Sequence, residues 1–163
     1  MAEGSSIRWP EQYAPAKCPV HVRNALDIAA PPEVIWAWLI RAQLWPSWYP
    51  NSANVRFISG PQPDLDLGTK FRWRTFGVTI DSTVMEFVPP ERIAWDAHAA
   101  GINGYHAFLI QRTGSCHVVT EETQKGWLAQ LNNVFRPNRM HQQHQIWLEA
   151  LSRKAIGGMP PQV

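Results

Sequence analysis

Charge, cysteine and long apolar runs are all scarce in this chain of 163 residues, and each scarcity removes a class of function. Fifteen Lys and Arg against thirteen Asp and Glu leave a net charge of +2. That is too little to argue for binding to nucleic acid or to a membrane surface. The two cysteines, Cys18 and Cys116, lie far apart with no CxxC spacing. Free thiols in a reducing cytoplasmic compartment are the expectation, with a structural disulfide as the alternative. No stretch approaches the ~18 consecutive apolar residues of a membrane span. The opening MAEGSSIRWPEQY has no apolar h-region, so no secretory signal is expected. Also missing are an HExxH motif, an EF-hand spacing around Asp64 and Asp66, and a phosphate-cradling glycine loop. No metal and no cofactor are therefore expected.

What is present is apolar and aromatic. Hydrophobic residues make up 45% and charged residues 17%, the balance of a folded domain with a proper core. Nine tryptophans stand against three tyrosines. They furnish either a large aromatic core or the walls of a cavity. One domain is expected over residues 20–158. It follows an irregular arm at 1–19 (Gly4, Ser5, Ser6, Pro10, Pro15, Pro19) that Ile7, Trp9 and Tyr13 hold down, and it precedes a tail at 159–163.

Val20 to Ala29 alternates, with Val20, Val22, Leu26 and Ile28 on one face, and reads as a strand. Pro31-Pro32-Glu33 opens a short helix, and Leu44 to Pro50 forms a second helical turn or loop. Strands follow at Ala53–Ser59, Lys70–Phe76, Val78–Val88 and Arg92–His98. A hairpin then joins Tyr105–Arg112 to Cys116–Thr123. The alternation of Phe71, Trp73 and Thr75 with Lys70, Arg72 and Arg74 implies an antiparallel sheet with one wet face. Gly126–Arg136 reads as a short helix or a lid. Pro137–Gly157 carries Met140, His144, Trp147, Leu148, Leu151 and Ala155 on one stripe and reads as a long helix, with Pro137 in its first turn. The order is strand, two short helices, about six antiparallel strands, then one long helix that needs a sheet to lie on.

Ile28-Ala29-Ala30-Pro31-Pro32-Glu33-Val34-Ile35-Trp36 resembles the strand-to-helix signature of the START-like, or SRPBCC, superfamily. Trp45-Pro46-Ser47-Trp48-Tyr49-Pro50, Gly68, the Val84–Trp95 segment, Gly126 and the Trp147–Leu151 core resemble the same layout over roughly residues 20–156. The likeness is nearest to the branch for polyketide cyclases/dehydrases and lipid transport. It implies an α+β helix-grip fold, a curved antiparallel sheet around the C-terminal helix, with a hydrophobic ligand in the cavity between them. It does not imply one reaction.

The inward faces nominate Trp73, Ser82, Trp95, Phe108, Met140, His144 and Trp147 as ligand contacts, with Trp48 and Tyr49 near the entrance. His106 shares a face with Phe108 and Ile110, either as an acid–base group or as a buried structural histidine. Its partner depends on the hairpin. A two-residue loop places Glu121 opposite, and a three-residue loop, Thr113–Ser115, places Glu122 there with Val118 and Thr120 inward. Binding of a lipid- or polyketide-like molecule is the leading expectation. The alternative is a cyclase, dehydratase or aromatase that uses His106 and Glu122, with Ser82 or Tyr49 orienting a carbonyl.

Overall fold

The computed structural model describes residues 6–162. Gly4, Ser5 and Val163 lie outside them. Seven strands form a single antiparallel sheet in the order β1-β7-β6-β5-β4-β3-β2. They are β1 (Val20–Ile28), β2 (Ala53–Ser59), β3 (Lys70–Thr75), β4 (Val78–Val88), β5 (Arg92–Ala99), β6 (Ile102–Thr113) and β7 (Ser115–Lys125). Helices α1 (Pro32–Ile40), α2 (Trp127–Phe135) and α3 (Arg139–Ile156) complete the fold. A 3₁₀ segment spans Ala42–Ser47. This is the helix-grip arrangement: a curved sheet carrying the C-terminal helix on its inner face.

The first strand pairs with the last. Val20 faces Gln124 and Ile28 faces Cys116. Asn24 sits on the inner face of β1, where an apolar residue would continue the pattern, and it is buried. Its amide donates to His141 O at 3.1 Å and Gln145 Oε1 at 3.2 Å, so β1 grips α3 by polar bonds that the buried amide requires. Across the interface α3 buries His144, Trp147, Leu148, Leu151 and Ala155 of the stripe read from the sequence, together with Ala150, while Met140 is half-buried.

The long helix begins two residues later than expected. Pro137 terminates α2 rather than opening α3, because a proline ring disfavours helical backbone at the preceding residue; Arg136 leaves the helix at φ −141° and ψ 63°. The wet outer face is also only partly wet. β3 alternates cleanly, but β6 is buried on both faces from Gly104 to Ile110. Its outer side is covered by the N-terminal arm, where Ile7, Trp9 and Tyr13 pack on Tyr105, Ala107, Leu109 and Val119. Tyr13 stacks on Tyr105 at 5.7 Å. Cys18 packs on that outer cluster and Cys116 belongs to the inner core, and both are free thiols.

The inner core is built around Trp45, which is fully buried. Its ring lies 5.2–5.4 Å from those of Trp147, Trp73 and Trp95, and its Nε1 donates to Leu39 O at 3.0 Å. That bond removes the cost of burying the Trp45 indole N–H.

Candidate functional site

A cavity lies between the inner face of the sheet, α2 and the first turns of α3. Its floor is Trp73, Ile80, Trp95 and Trp147. Its mouth runs between the β3–β4 hairpin tip (Thr75, Phe76, Val78) and the α2–α3 junction (Asn132, Asn133, Arg136, Pro137, Arg139, Met140). Asn51 shapes the mouth by accepting from Phe76 N at 2.9 Å and donating to Thr75 Oγ1 at 3.1 Å. The space open to a water-sized body is about 60 Å³.

At the inner end sit His106, Glu122 and His144, all buried. The hairpin has the three-residue loop, so His106 pairs with Glu122 across β6 and β7. Glu121 is turned outward, bonded to His21 at 2.8 Å. One carboxylate draws together three polar side chains. Glu122 Oε2 lies 3.0 Å from His144 Nε2 and 3.4 Å from His106 Nδ1, and Oε1 accepts from Gln124 Nε2 at 2.6 Å. Burial alone would push the Glu122 carboxyl up; the two imidazoles and the Gln124 amide outweigh it and hold the group below its ordinary range.

A carboxylate only accepts, so the proton of neutral His106 resides on Nδ1, and Nε2 accepts from Thr120 Oγ1 at 2.7 Å. Burial pushes His106 down to about 3, against the pull of Glu122. It is therefore neutral at pH 7, with Nε2 bonded to Thr120 and Nδ1 facing the carboxylate. His144 differs. Its Nε2–H points to Glu122, and its Nδ1 is buried without a hydrogen-bond partner. Trp95 Nε1 and Trp147 Nε1, on two other cavity-lining residues, are likewise buried and unpartnered.

His106, Glu122 and His144 each offer a ligand atom within 4.8 Å of the others, the donor set of a two-His, one-carboxylate centre. The ring geometry opposes one. The imidazoles stack at 4.6 Å with planes only 10° apart. Each ring binds an ion along a lone pair in its own plane, and two nearly parallel planes do not converge on one ion.

Of the residues nominated from the sequence, Trp73, Trp95, His106, Glu122, Met140, His144 and Trp147 line the cavity. Trp48, Tyr49, Ser82 and Phe108 are buried in the surrounding layer. Tyr49 is buried and stacks on Trp147 at 4.4 Å, its hydroxyl accepts from Asn51 of the mouth, and burial raises its pKa. Trp48 packs edge-on to Trp38. Ser82 Oγ accepts from Trp73 Nε1 at 3.3 Å, and Phe108 stacks beneath His106 at 4.8 Å. Sequence reasoning passed over Gln124, Asn132, Asn133 and Arg136. The alternation of β7 already places Gln124 on the inner face, two residues beyond Glu122.

Residues 19–158 match the family described as polyketide cyclase/dehydrase and lipid transport. No curated protein matches the chain. Among solved structures it is similar to the hypothetical protein jhp0584 from Helicobacter pylori, at 28% identity and a TM-score of 0.87 over 95% of this chain and 99% of that one. It is similar in fold to the di-domain ARO/CYC BexL, at 18% identity and a TM-score of 0.67 over 87% of this chain and 51% of that one. It is also similar in fold to norcoclaurine synthase from Thalictrum flavum, at 15% identity and a TM-score of 0.63 over 82% of this chain and 91% of that one.

Proposed function

Because the chain belongs to the polyketide cyclase/dehydrase and lipid transport family, we propose that it binds a small hydrophobic or aromatic molecule between the sheet and α3, with the polar end at His144. The observation that carries this reading is the set of unpartnered ring nitrogens on cavity residues: Trp95 Nε1, Trp147 Nε1 and His144 Nδ1. A buried polar group left unpaired costs about 1–3 kcal/mol. Two indole N–H donors and one imidazole acceptor suit a ligand that carries a carbonyl beside a hydroxyl, a polyketide-like pattern. A ligand larger than the closed cavity enters by displacing α2, which buries only Ala129.

Native mass spectrometry of the purified protein is expected to show a co-purified small molecule, and calorimetry is expected to show binding of 1,8-dihydroxyanthraquinone. His144→Gln removes the free Nδ1 and is expected to weaken that binding about tenfold. Equal affinity in the variant, or no binding by the parent protein, would refute the reading.

A second reading, acid–base catalysis of the cyclase, dehydratase or aromatase kind, is favoured by one detail. Glu122 on Nε2 fixes the tautomer of His144 and leaves Nδ1 as the proton acceptor. A proton alpha to a ligand ketone would pass to Nδ1 and return to the leaving hydroxyl. His106 then serves as a positioning residue, since it is neutral and its Nε2 is bonded to Thr120. Turnover abolished by His144→Ala and retained within about tenfold by His106→Asn is the expected pattern; the reverse pattern restores His106 as the catalytic group.

A further inference from the structure

Helix α2 is inside out. Trp127, Leu131, Val134 and Phe135 are 66%, 46%, 73% and 74% exposed. At 3.6 residues per turn these four side chains fall within an arc of about 100°. Opposite them, Ala129 is the one buried residue, and Asn132 and Asn133 turn to the cavity mouth. The other exposed large apolar residues, such as Ile58, Leu67, Met85 and Ile156, are scattered over other elements and carry no such stripe.

We propose that this outer face of α2 docks on the surface of an anionic lipid bilayer. Charge selects the occupant. No Asp or Glu occurs between Thr123 and Leu148, and Arg136 and Arg139 follow the stripe directly. Arg139 is held over the Phe76 ring at 5.3 Å, which places cationic groups at the cavity mouth beside the apolar face. The net charge of +2 over the whole chain conceals this local excess. Size points the same way. A nine-residue helix is about 14 Å long, and four side chains on it fall well short of the roughly 800 Å² that each partner buries in a stable protein complex. Shallow insertion at a headgroup boundary needs only a basic-flanked apolar face, and Trp and Phe favour that depth. Docked in this way, the protein presents its cavity mouth to the lipid.

The test is co-sedimentation of the full chain with phosphatidylcholine vesicles with and without phosphatidylglycerol. Binding is expected to the anionic vesicles and to weaken with added salt. Val134→Asp and Phe135→Asp alter exposed side chains, so the thermal melt should be unchanged while vesicle affinity falls about tenfold or more. Arg136→Gln and Arg139→Gln should each cost about fivefold on anionic vesicles. Absence of vesicle binding, or equal binding by the aspartate variants, overturns the proposal. So does a dimer in analytical ultracentrifugation that Phe135→Asp dissolves, which would make the stripe an interface between copies.

Discussion

At the scale of single residues, the cluster beneath the cavity ties stability to pH. The His106 pKa falls from its ordinary 6.5 to about 3 on folding. Between those values the unfolded chain binds a proton that the folded one refuses, so this contribution is fully present above about 6.5 and is lost as the pH falls toward 3. Glu122, also held below its ordinary value, acts in the same direction at lower pH. The melting temperature is therefore expected to drop between pH 7 and pH 4.5, and His106→Asn to flatten that drop; melts of both proteins at the two pH values decide it. The register behind the cluster was legible. Once the Thr113–Ser115 loop is counted as three residues, Glu122 faces His106. The unpartnered Nδ1 of His144 was not, because it depends on which ring nitrogen Glu122 occupies, and that follows from how α3 is rotated on the sheet. Trp45 is the other decisive residue. Truncation to Ala would leave a cavity among three tryptophans and is expected to cost about 3–5 kcal/mol in denaturant unfolding.

At the scale of elements, the link between the sheet and α2 is a backbone crossing. Gly126 has φ +112°, and a Cβ there would lie 2.3 Å from the Gly101 carbonyl oxygen. That same carbonyl accepts from Leu128 N and Ala129 N and satisfies the first turn of α2. Gly77, at φ +81°, has open space around it. Gly77→Ala should therefore cost only the conformational penalty of about 1–2 kcal/mol. Gly126→Ala should cost clearly more and displace α2, read as faster amide exchange across Trp127–Phe135. The elements themselves were readable where burial is one-sided: β3 and α3 show their periods directly. α2 reads from the sequence as a short helix or a lid and is a helix, but its orientation is not legible, since Asn132 and Asn133 at the cavity mouth and Phe135 turned outward reverse the usual assignment of faces.

At the scale of the molecule, the outer side of β5, β6 and β7 is finished by the arm. Thr123 Oγ1 donates to Tyr13 O and Lys125 Nζ to Gln12 O, and the Arg92 guanidinium donates to Ser6 O. A chain lacking residues 1–18 would expose Tyr105, Leu109 and Val119. It is expected to lose about 4 kcal/mol and to associate, as denaturant melts and size-exclusion chromatography would show. Burial of β6 on both faces departs from the one wet face expected of the sheet, because no period in the arm says where an irregular segment will lie. The closing pairing of the sheet carries a further consequence, one of timing. Because β1 bonds only to β7, with Val20 opposite Gln124, the first strand made is the last to find its neighbour. During synthesis it waits for the rest of the sheet, so the chain has a high contact order and folds slowly for its size. Until β7 leaves the ribosome the β6 edge stands open, which makes that interval, rather than the finished fold, the point at which aggregation threatens.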